Sequence, residues 1–327
     1  MNKSEILFYL SAPDIEGELF HKADKVRKEY CGEEVHIRGI IEFSNYCCRN
    51  CLYCGLRRDN KVLSRYRMEK EEIVKLAHGI IEKGVKTIVL QSGDDFYYSS
   101  DDIAWVIEKI KKKGDVAVTL SLGERPIRDY KKWKEAGADR YLLKHETANP
   151  ALYRKLHPGQ CLERRIKILL SLKELGYQIG AGNIVGLPGQ TVEDLAEDVL
   201  LLEKLDVDMA GIGPFIPQKN TPLGNSPPGD INLTLRVLSL TRILTRNAHL
   251  PATTALATLD PERGQLMALK AGANVIMPDF TPENCREKYV IYDDKARVTL
   301  ERAKELIMWA GRRISTSRGD SLKRKAL

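Results

Sequence analysis

The apolar positions of the chain follow a repeating pattern in which an amphipathic helix ends at a glycine and a short β-branched run follows. In the first such helix the apolar residues recur at helical spacing, at Ile73, Leu76, Ala77, Ile80 and Ile81. Basic side chains in the last turn and a glycine just beyond it are typical of a helix end. The helical stretches end in this way at Gly84, Gly114, Gly137, Gly176 and Gly272.

Eight short apolar runs fit between these helices. They cover residues 36–43, 86–90, 116–120, 140–143, 178–185, 208–213, 252–255 and 273–277. Strands that alternate with helices predict a parallel sheet with right-handed crossovers, and eight of them over roughly 250 residues are enough to close a barrel. The pattern therefore predicts an α/β fold, a (β/α)8 TIM-type barrel, with an open doubly wound sheet as the alternative.

The barrel is expected to have a flanking segment at each end. Residues 1–34 form the predicted N-terminal helical segment, residues 35–279 the barrel, and residues 280–327 a C-terminal extension with a basic tail. No linker rich in Pro, Gly or Ser divides the barrel region. Catalytic groups of such barrels lie at the C-terminal ends of the strands and in the loops that follow, which gives a test for each motif.

Composition narrows the class of protein. The chain has 327 residues, 43% of them hydrophobic, so it can bury a large core and is not a disordered chain. Apolar runs such as 168–172 are far shorter than the roughly 18 residues of a membrane-spanning helix. Acidic residues soon follow the apolar patch at 6–10, so a secretory signal is not expected. The sequence predicts a cytoplasmic protein that does not act at a membrane.

The net charge of +7 could indicate nucleic acid as a partner, but most of it lies at the C-terminus. Residues 312–327 contain six basic residues and one acid, which leaves only +2 for the rest of the chain. A short basic tail of this kind is usually solvated. We therefore expect a solvated tail and no nucleic-acid partner.

Four of the seven cysteines lie close together, directly after the first predicted strand. Cys47, Cys51 and Cys54 form a C-x3-C-x2-C motif that also contains Cys48. This spacing is too tight for a disulfide framework, and no second Cys or His pair follows to complete a usual zinc site. Three thiolates on one loop can instead hold three irons of a 4Fe-4S cluster and leave the fourth iron open. A structural zinc site in a non-enzymatic binding scaffold is the alternative.

The isolated cysteines, Cys31, Cys161 and Cys285, are expected to be buried structural thiols.

The cysteine motif, with an aromatic residue just before its last cysteine, resembles the signature of radical S-adenosylmethionine (SAM) enzymes. The resemblance implies that Cys47, Cys51 and Cys54 are the cluster ligands, with Cys48 not required. It also implies that SAM binds the open iron and is cleaved reductively to a 5'-deoxyadenosyl radical. Tyr53 would then lie near the adenine.

Further motifs make the resemblance more specific. Together with the cysteine loop they are similar to the HydE family of iron-iron hydrogenase maturases, and they occupy residues 40–45, 54–60, 89–93, 119–124, 144–150, 185–191, 211–215 and 251–255. The likeness extends from about residue 30 to about residue 295. It implies an enzyme that acts on a small cysteine-bound iron carbonyl cyanide complex during assembly of the hydrogenase two-iron subcluster. A flavodoxin- or ferredoxin-like electron donor and other hydrogenase maturases are the implied partners.

Two related families must be weighed against this one. The enzyme that rearranges lysine to methylornithine shares the barrel and much of the patterning, and it remains the alternative. Biotin synthase holds a second cluster on additional barrel cysteines, whereas no cysteine occurs here between Cys54 and Cys161. Beyond Cys161 the chain has only Cys285, so the second cluster that some HydE proteins carry is not expected either.

Polar residues at predicted strand ends are the candidate ligand-binding groups. Side chains two apart on a strand share a face, so Lys144 and Glu146 are expected to point into the barrel and His145 away from it. The resemblance assigns SAM binding to Glu146 and Arg165, with Tyr53 near the adenine, and Ser121 at a strand end and Tyr289 join them as candidates. The polar residues near strand ends are the candidate substrate-binding groups: Gln91, Ser92, Thr119, Lys144, Thr253 and Thr254. The resemblance adds Met209 and Tyr292, with Tyr289 and Tyr292 as a lid over the mouth.

Overall fold

Two helices precede the first strand, in a computed structural model that describes residues 1–323. They are α1 (Lys3–Ser11) and α2 (Glu16–Cys31). Asn2 begins α1 through a reciprocal capping box, in which its side chain accepts from the Glu5 amide and the Glu5 carboxylate accepts from the Asn2 amide. The apolar face of each helix packs against the outer helices of the fold.

The elements that follow alternate between strands and helices along the chain. The strands are β1 (Glu34–Ile37), β2 (Gly39–Ser44), β3 (Thr87–Ser92), β4 (Ala117–Ser121), β5 (Arg140–Leu142), β6 (Gln178–Ala181), β7 (Ile184–Val185), β8 (Met209–Ala210), β9 (Gly213–Pro214), β10 (Pro251–Ala252), β11 (Val275–Ile276) and β12 (Arg313–Ile314). The helices are α3 (Lys70–Glu82), α4 (Ser100–Lys113), α5 (Ile127–Glu135), α6 (Pro150–Leu156), α7 (Leu162–Glu174), α8 (Val192–Lys204), α9 (Ile231–Thr245), α10 (Thr254–Leu259), α11 (Gly264–Lys270), α12 (Glu283–Arg286) and α13 (Leu300–Trp309).

The strands close into a ring. One sheet has the order β2-β3-β4-β5-β6-β8 and another places β10, β11 and β1 side by side, with parallel pairing throughout. The amide of Ala210 donates to the carbonyl of His249 over 3.0 Å, which joins β8 to the start of β10. The amide of Phe280 donates to the Ile40 carbonyl over 2.9 Å and joins β2 to the end of β11. The predicted (β/α)8 barrel is therefore confirmed, and the open sheet is excluded.

Three of the predicted strands are each divided into two in the structure. The first breaks at Arg38 into β1 and β2, the fifth breaks near Gly182 into β6 and β7, and the sixth breaks near Gly211 into β8 and β9. A Cβ on Gly182 would lie 2.1 Å from the Gly211 carbonyl oxygen, so only glycine permits this approach. The run predicted at 252–255 ends at Ala252, because Thr253 is the residue before the first turn of α10.

The C-terminal residues do not form a solvated tail, so that expectation is wrong for most of the described part. Arg312 is buried and donates to the Ala273 carbonyl over 2.8 Å. Arg318 pairs with Asp139 at 2.9 Å, and Lys323 donates to the Val207 carbonyl over 2.8 Å. Arg313 is exposed. Arg324 and Lys325 lie outside the described residues.

Residues 315–321, here called the C-terminal strap, cross the N-terminal ends of the barrel strands. Arg140, at the start of β5, is fully buried and donates to the carbonyls of Arg318 and Gly319 over 2.7 and 2.8 Å and to the Asp320 carboxylate over 3.0 Å. The Thr87 hydroxyl also donates to the Arg318 carbonyl, over 2.9 Å. The strap thereby covers the bottom of the barrel.

One large apolar core lies between the barrel strands and the surrounding helices. In the part of the chain that the structure describes, no helix combines the length and the apolar character that crossing a membrane requires.

Candidate active site

A cavity of about 390 Å³ opens at the C-terminal ends of the barrel strands. All sixteen candidate site residues from the sequence line it: Cys47, Cys51, Tyr53, Cys54, Gln91, Ser92, Thr119, Ser121, Lys144, Glu146, Arg165, Met209, Thr253, Thr254, Tyr289 and Tyr292. The strands bring these residues together from positions up to 245 apart in the sequence.

The three motif cysteines lie on the loop after β2, at the rim of this cavity. The amides of Arg49 and Asp94 each donate to the Cys47 sulfur over 3.4 Å, and the Gln160 side chain donates to the Cys51 sulfur over 3.9 Å. Gly93 allows the next loop to pack here, because a Cβ would lie 2.3 Å from the Tyr46 carbonyl oxygen. Cys48 is exposed on the outer side of the loop.

The donor set fits an iron-sulfur cluster better than a single zinc ion. Burial, with smaller effects from neighbouring thiols and carboxylates, raises the pKa of Cys47, Cys51 and Cys54 to about 12. Burial therefore disfavours free thiolates here, and binding to a cationic centre would offset that cost. No three His, Cys, Asp or Glu side chains within residues 1–323 converge to hold one metal ion. A multi-iron cluster, in which each thiolate binds a different iron, does not need such convergence.

Tyr53 is held by a histidine that the sequence did not single out. The Tyr53 hydroxyl lies 2.8 Å from His157 Nε2, and His157 Nδ1 lies 2.9 Å from the Tyr153 carbonyl oxygen. A carbonyl only accepts, so Nδ1 carries the proton and Nε2 accepts from Tyr53. Burial lowers the pKa of His157 to about 4, which keeps the ring neutral near neutral pH. The hydroxyl of Tyr53 is thereby fixed behind the cysteine loop.

Glu146 adopts a backbone conformation that is rare for residues other than glycine. Its φ is +65°, and its carboxylate enters the cavity 3.1 Å from the Lys144 ammonium. His145 points the other way and is fully buried, with Nε2 3.3 Å from the Asp198 carboxylate. The Glu146 amide donates to the Gly182 carbonyl over 2.9 Å, across the break between β6 and β7. The strained turn therefore presents both charges of this pair to the cavity.

A buried carboxylate organises the arginines beside the cysteine loop. Glu124 accepts from Arg165 Nε over 2.8 Å and lies 3.3 Å from Arg49 Nη2. Arg165 also donates to the Lys144 carbonyl over 2.9 Å and to the Gln160 side chain over 3.2 Å. These hydrogen bonds hold the Arg165 guanidinium in one orientation, so it is a fixed positive group at the cavity wall.

The lower cavity contains a buried arginine without a carboxylate partner. Arg38 is 4% exposed, and its Nη1 donates to the Met209 sulfur over 2.8 Å. Within residues 1–323 its Nε and Nη2 have no hydrogen-bond partner, and neither do the buried hydroxyls of Thr119 and Thr253. Buried donors without partners are costly. This end of the cavity therefore presents several donors for an electron-rich ligand.

The C-terminal extension forms the roof of the cavity through Tyr289 and Tyr292. The Gln91 side chain donates to the Tyr289 hydroxyl over 3.4 Å, and the Gly55 amide donates to the Ile291 carbonyl over 2.9 Å. A Cβ on Gly55 would lie 1.9 Å from the Val290 carbonyl oxygen. The roof is therefore packed directly on the cysteine loop.

The roof is also tied to the barrel wall. Lys295 donates to both carboxylate oxygens of Glu42, over 2.5 and 2.6 Å, and burial raises the pKa of Glu42 to about 7. This buried pair connects the extension to β2.

The remaining candidates make local contacts. The Ser92 hydroxyl donates to the Gly93 carbonyl over 2.7 Å, and Thr254 is the first residue of α10.

Sequence reasoning missed Arg38, Asp94, Glu124, His157 and Gln160 as site residues. Glu124 is the last residue of the motif at 119–124, and Arg38 is a charged residue within an apolar run. Those were the available signals. His157 and Gln160 lie in a loop between two helices, and only their contacts with Tyr53 and Cys51 identify them.

Comparison with known proteins gives consistent matches. Residues 41–202 match the family described as the Radical SAM superfamily. The chain is 59% identical over 277 residues to the [FeFe] hydrogenase maturase subunit HydE of Thermotoga maritima, covering 85% of this chain and 79% of that protein. It is 29% identical to the 3-methylornithine synthase of Methanosarcina acetivorans, covering 84% and 78% of the two chains.

A solved structure has the same fold over nearly the whole chain. The crystal structure of methylornithine synthase (PylB) superimposes with a TM-score of 0.87 at 25% identity, covering 99% of this chain and 96% of that one. The sequence match to the HydE maturase is far stronger than the match to the methylornithine enzymes. Because the relatives are enzymes, the alternative of a non-enzymatic, zinc-stabilised scaffold is wrong. The chain therefore belongs to the radical SAM enzymes and, among them, to the HydE family of [FeFe] hydrogenase maturases.

Proposed function

We propose that Cys47, Cys51 and Cys54 bind three irons of one 4Fe-4S cluster and that SAM binds the iron left open. When bound and reduced, this cluster supplies the electron that cleaves SAM to methionine and a 5'-deoxyadenosyl radical. The proposal is supported by three half-buried thiols on one loop at the rim of a barrel cavity. Arg165 and Lys144 offset the negative charge that the thiolates would bring.

Residues near the cysteine loop are proposed to bind and orient SAM. The Glu146 carboxylate and the Lys144 ammonium, 3.1 Å apart, offer opposite charges to the amine and carboxylate of the methionine part. Tyr53, fixed by its hydrogen bond with His157, is proposed to contact the adenine. Arg165 and Ser121 would complete the wall, and Tyr289 would exclude water from above.

The lower cavity is proposed to bind a small anionic, cysteine-bound iron carbonyl cyanide complex. The observation that carries this proposal is the buried charge of Arg38, whose Nε and Nη2 have no partner within the described residues. Carbonyl and cyanide ligands are acceptors that suit these donors and the hydroxyls of Thr119 and Thr253. Free lysine, the substrate of the alternative enzyme, carries a net positive charge that Arg38 disfavours.

Other candidate residues are proposed to shape the substrate end of the cavity. Met209 holds one face of Arg38 through its sulfur. Gln91, Ser92, Thr254 and Tyr292 line the wall above it.

In the proposed reaction, the residues of the lower cavity would hold the sulfur of the bound complex toward SAM, and the product would be a precursor of the hydrogenase two-iron subcluster. The precursor would pass to other maturases, and a flavodoxin- or ferredoxin-like protein would supply electrons.

Anaerobic reconstitution with iron and sulfide, followed by iron counting and SAM cleavage with dithionite, tests the cluster proposal. We expect about four irons per chain, with cluster absorbance and 5'-deoxyadenosine lost when Cys47, Cys51 and Cys54 are replaced by Ala. Cys48→Ala is the matched control and should retain both. Unchanged spectra and product in the triple variant would refute the proposal.

Supplying reduced enzyme and SAM with either the iron complex or lysine tests the substrate. Adenosine-derived products detected by mass spectrometry only with the iron complex would support the proposal. Methylornithine formed from lysine would overturn it in favour of the lysine mutase.

A further inference from the structure

The outer face of the cysteine loop carries a cluster of arginines around the exposed Cys48. The amide of Arg58 donates to the Arg49 carbonyl over 2.8 Å, so these two residues are adjacent. Arg49 Nη2 and Arg164 Nε lie 3.3 and 3.4 Å from the same oxygen of buried Glu124, so Arg164 lies beside Arg49. The side chains of Arg58 and Arg164 are 62% and 68% exposed. Arg49 itself lines the cavity and pairs with Asp94, so we call the two exposed side chains, Arg58 and Arg164, the arginine patch.

This positive charge is local rather than a property of the whole surface. Residues 46–67 contain six basic residues and one acid, a charge of +5, and residues 312–327 contribute another +5. Since the chain totals +7, all other residues together carry −3. Adding Arg164 and the three carboxylates that pair with these arginines, Asp94, Asp95 and Glu124, still leaves a local charge of +3. An excess of positive charge on one side of a protein steers an oppositely charged partner to that side.

Exposed aromatic side chains lie next to the arginine patch. The Cys48 amide donates to the Asp94 carbonyl over 3.0 Å, which brings the segment after β3 against the cysteine loop. In that segment Phe96 and Tyr97 are 53% and 65% exposed. Arginine and aromatic side chains are enriched at the centres of protein interfaces. This surface thus combines charge with apolar contact area.

The arginine patch also lies close to the proposed cluster ligands. Cys48 directly follows Cys47 in the chain, and the Arg49 amide contacts the Cys47 sulfur over 3.4 Å. On the other sides the cavity is enclosed by barrel strands, their helices and the C-terminal roof. Electron transfer slows steeply with distance, so a protein donor gains most by binding at this loop.

We propose that the arginine patch, with Phe96 and Tyr97, is the docking surface for an acidic one-electron carrier protein. The inference rests on the proposed function, because it assigns a partner to the cluster site. The reduced carrier gives up one electron, and the oxidised cluster takes up that electron. No covalent bond is made or broken at the interface. The charge pairing makes the complex sensitive to ionic strength.

The test measures binding of an acidic flavodoxin to the reconstituted protein under anaerobic conditions. The variants are Arg58→Glu, Arg164→Glu and their combination. The control combines Lys25→Glu with Lys304→Glu, two exposed lysines outside the cysteine loop, so that net charge changes equally. At low salt we expect the Kd of the double arginine variant to rise at least about tenfold and that of the control by less than about threefold. High salt should remove the difference.

A second readout follows cluster reduction by absorbance, with flavodoxin hydroquinone or dithionite as the reductant. Dithionite needs no docking surface, so it should reduce all variants alike, while the double arginine variant should be reduced more slowly only by flavodoxin. If Arg164→Glu impairs reduction by dithionite, Arg58→Glu alone decides the test, since Arg58 forms its only ion pair within the described residues with Asp59.

Three results would overturn the docking proposal: unchanged flavodoxin binding in the arginine variants, equal weakening in the lysine control, or no binding to the parent protein at low salt. Binding of flavodoxin elsewhere on the chain would appear as the first of these. Failure of the parent protein to cleave SAM with dithionite would instead refute the proposed function, so the two failures are distinguishable.

Discussion

Replacing Arg38 by Met should stabilise the protein and abolish binding of an anionic substrate. Arg38 is 4% exposed, and burial is the main cause that lowers its pKa well below the usual range. Arg140 lowers this pKa further, and Asp320 opposes the shift. Met has a similar length, no charge and no donors, so it can pack beside Met209 in the same space.

The size of the effect follows from the unmatched charge. Replacing buried ionic groups by apolar side chains of similar volume often stabilises by about 1–4 kcal/mol, so we expect about 2 kcal/mol for Arg38→Met. Unfolding entropy of about 2.1 cal/mol/K per residue amounts to about 0.7 kcal/mol/K for a chain of this length. The expected rise in Tm is therefore about 3 °C.

Arg242 provides a matched control, because it is equally buried but has a partner for each nitrogen. Its Nε donates to the Gly272 carbonyl over 2.8 Å, its Nη1 to the Ala248 carbonyl over 2.7 Å, and its Nη2 to the Asn274 side chain over 3.0 Å. Arg242→Met leaves these acceptors unpaired and should cost about 3–5 kcal/mol.

Thermal unfolding of the three proteins, reconstituted alike under anaerobic conditions, measures both shifts, and product formation with the iron complex measures function. Arg38→Met should melt above the parent protein and make no product, while its dithionite-driven SAM cleavage persists. A loss of stability comparable to that of Arg242→Met, or normal turnover of the complex, would refute the reasoning.

Three further substitutions test the cysteine loop, the roof and the C-terminal strap. His157→Phe removes the acceptor for the Tyr53 hydroxyl and should raise the KM for SAM about tenfold with little change in kcat, as measured by steady-state kinetics. Burial depresses the pKa of His157 to about 4, whereas the pKa of free histidine is about 6.5. The neutral ring therefore contributes its full stability above about pH 6.5, and this contribution is lost as pH falls toward 4. The unfolding free energies of parent and variant, measured against pH, should differ above about pH 6.5 and converge near pH 4. Gly55→Ala places a methyl group against the Val290 carbonyl and should displace the roof, which faster proteolysis or hydrogen exchange of that segment would reveal; unchanged exchange would contradict the packing. Arg140→Met should lower stability by about 3 kcal/mol and increase hydrogen exchange in the C-terminal strap, and protection equal to that of the parent would show that other contacts hold the strap.

The sequence pattern predicted the barrel because glycine-ended helices and β-branched runs repeat, and this periodicity depends only on local chemistry. It could not predict the break between β6 and β7, since this depends on how closely Gly182 approaches Gly211 of the next strand. Arg38 and Arg140 illustrate the same limit. An arginine within a strand suggests a solvent-facing position, and only the closed ring turns these side chains toward the barrel interior and the C-terminal strap.

The candidate site was predictable where its chemical groups lie close together in the sequence, as in the cysteine loop. It was not predictable where a side chain acts through another. His157 and Glu124 reach the site by contacting Tyr53 and Arg165, and these contacts connect residues about 104 and 41 positions apart.

The C-terminal strap has a kinetic consequence. Because it covers the bottom of the barrel, the strap closes that end of the cavity to an entering ligand. Arg38 precedes β2, and the six residues of that strand span roughly 20 Å before the cysteine loop begins. If SAM binds beside the cysteine loop as proposed, a ligand at Arg38 would lie beneath it. Substrate would then enter before SAM and leave after the SAM fragments, so turnover should follow a compulsory order, with excess SAM blocking access to the empty cavity.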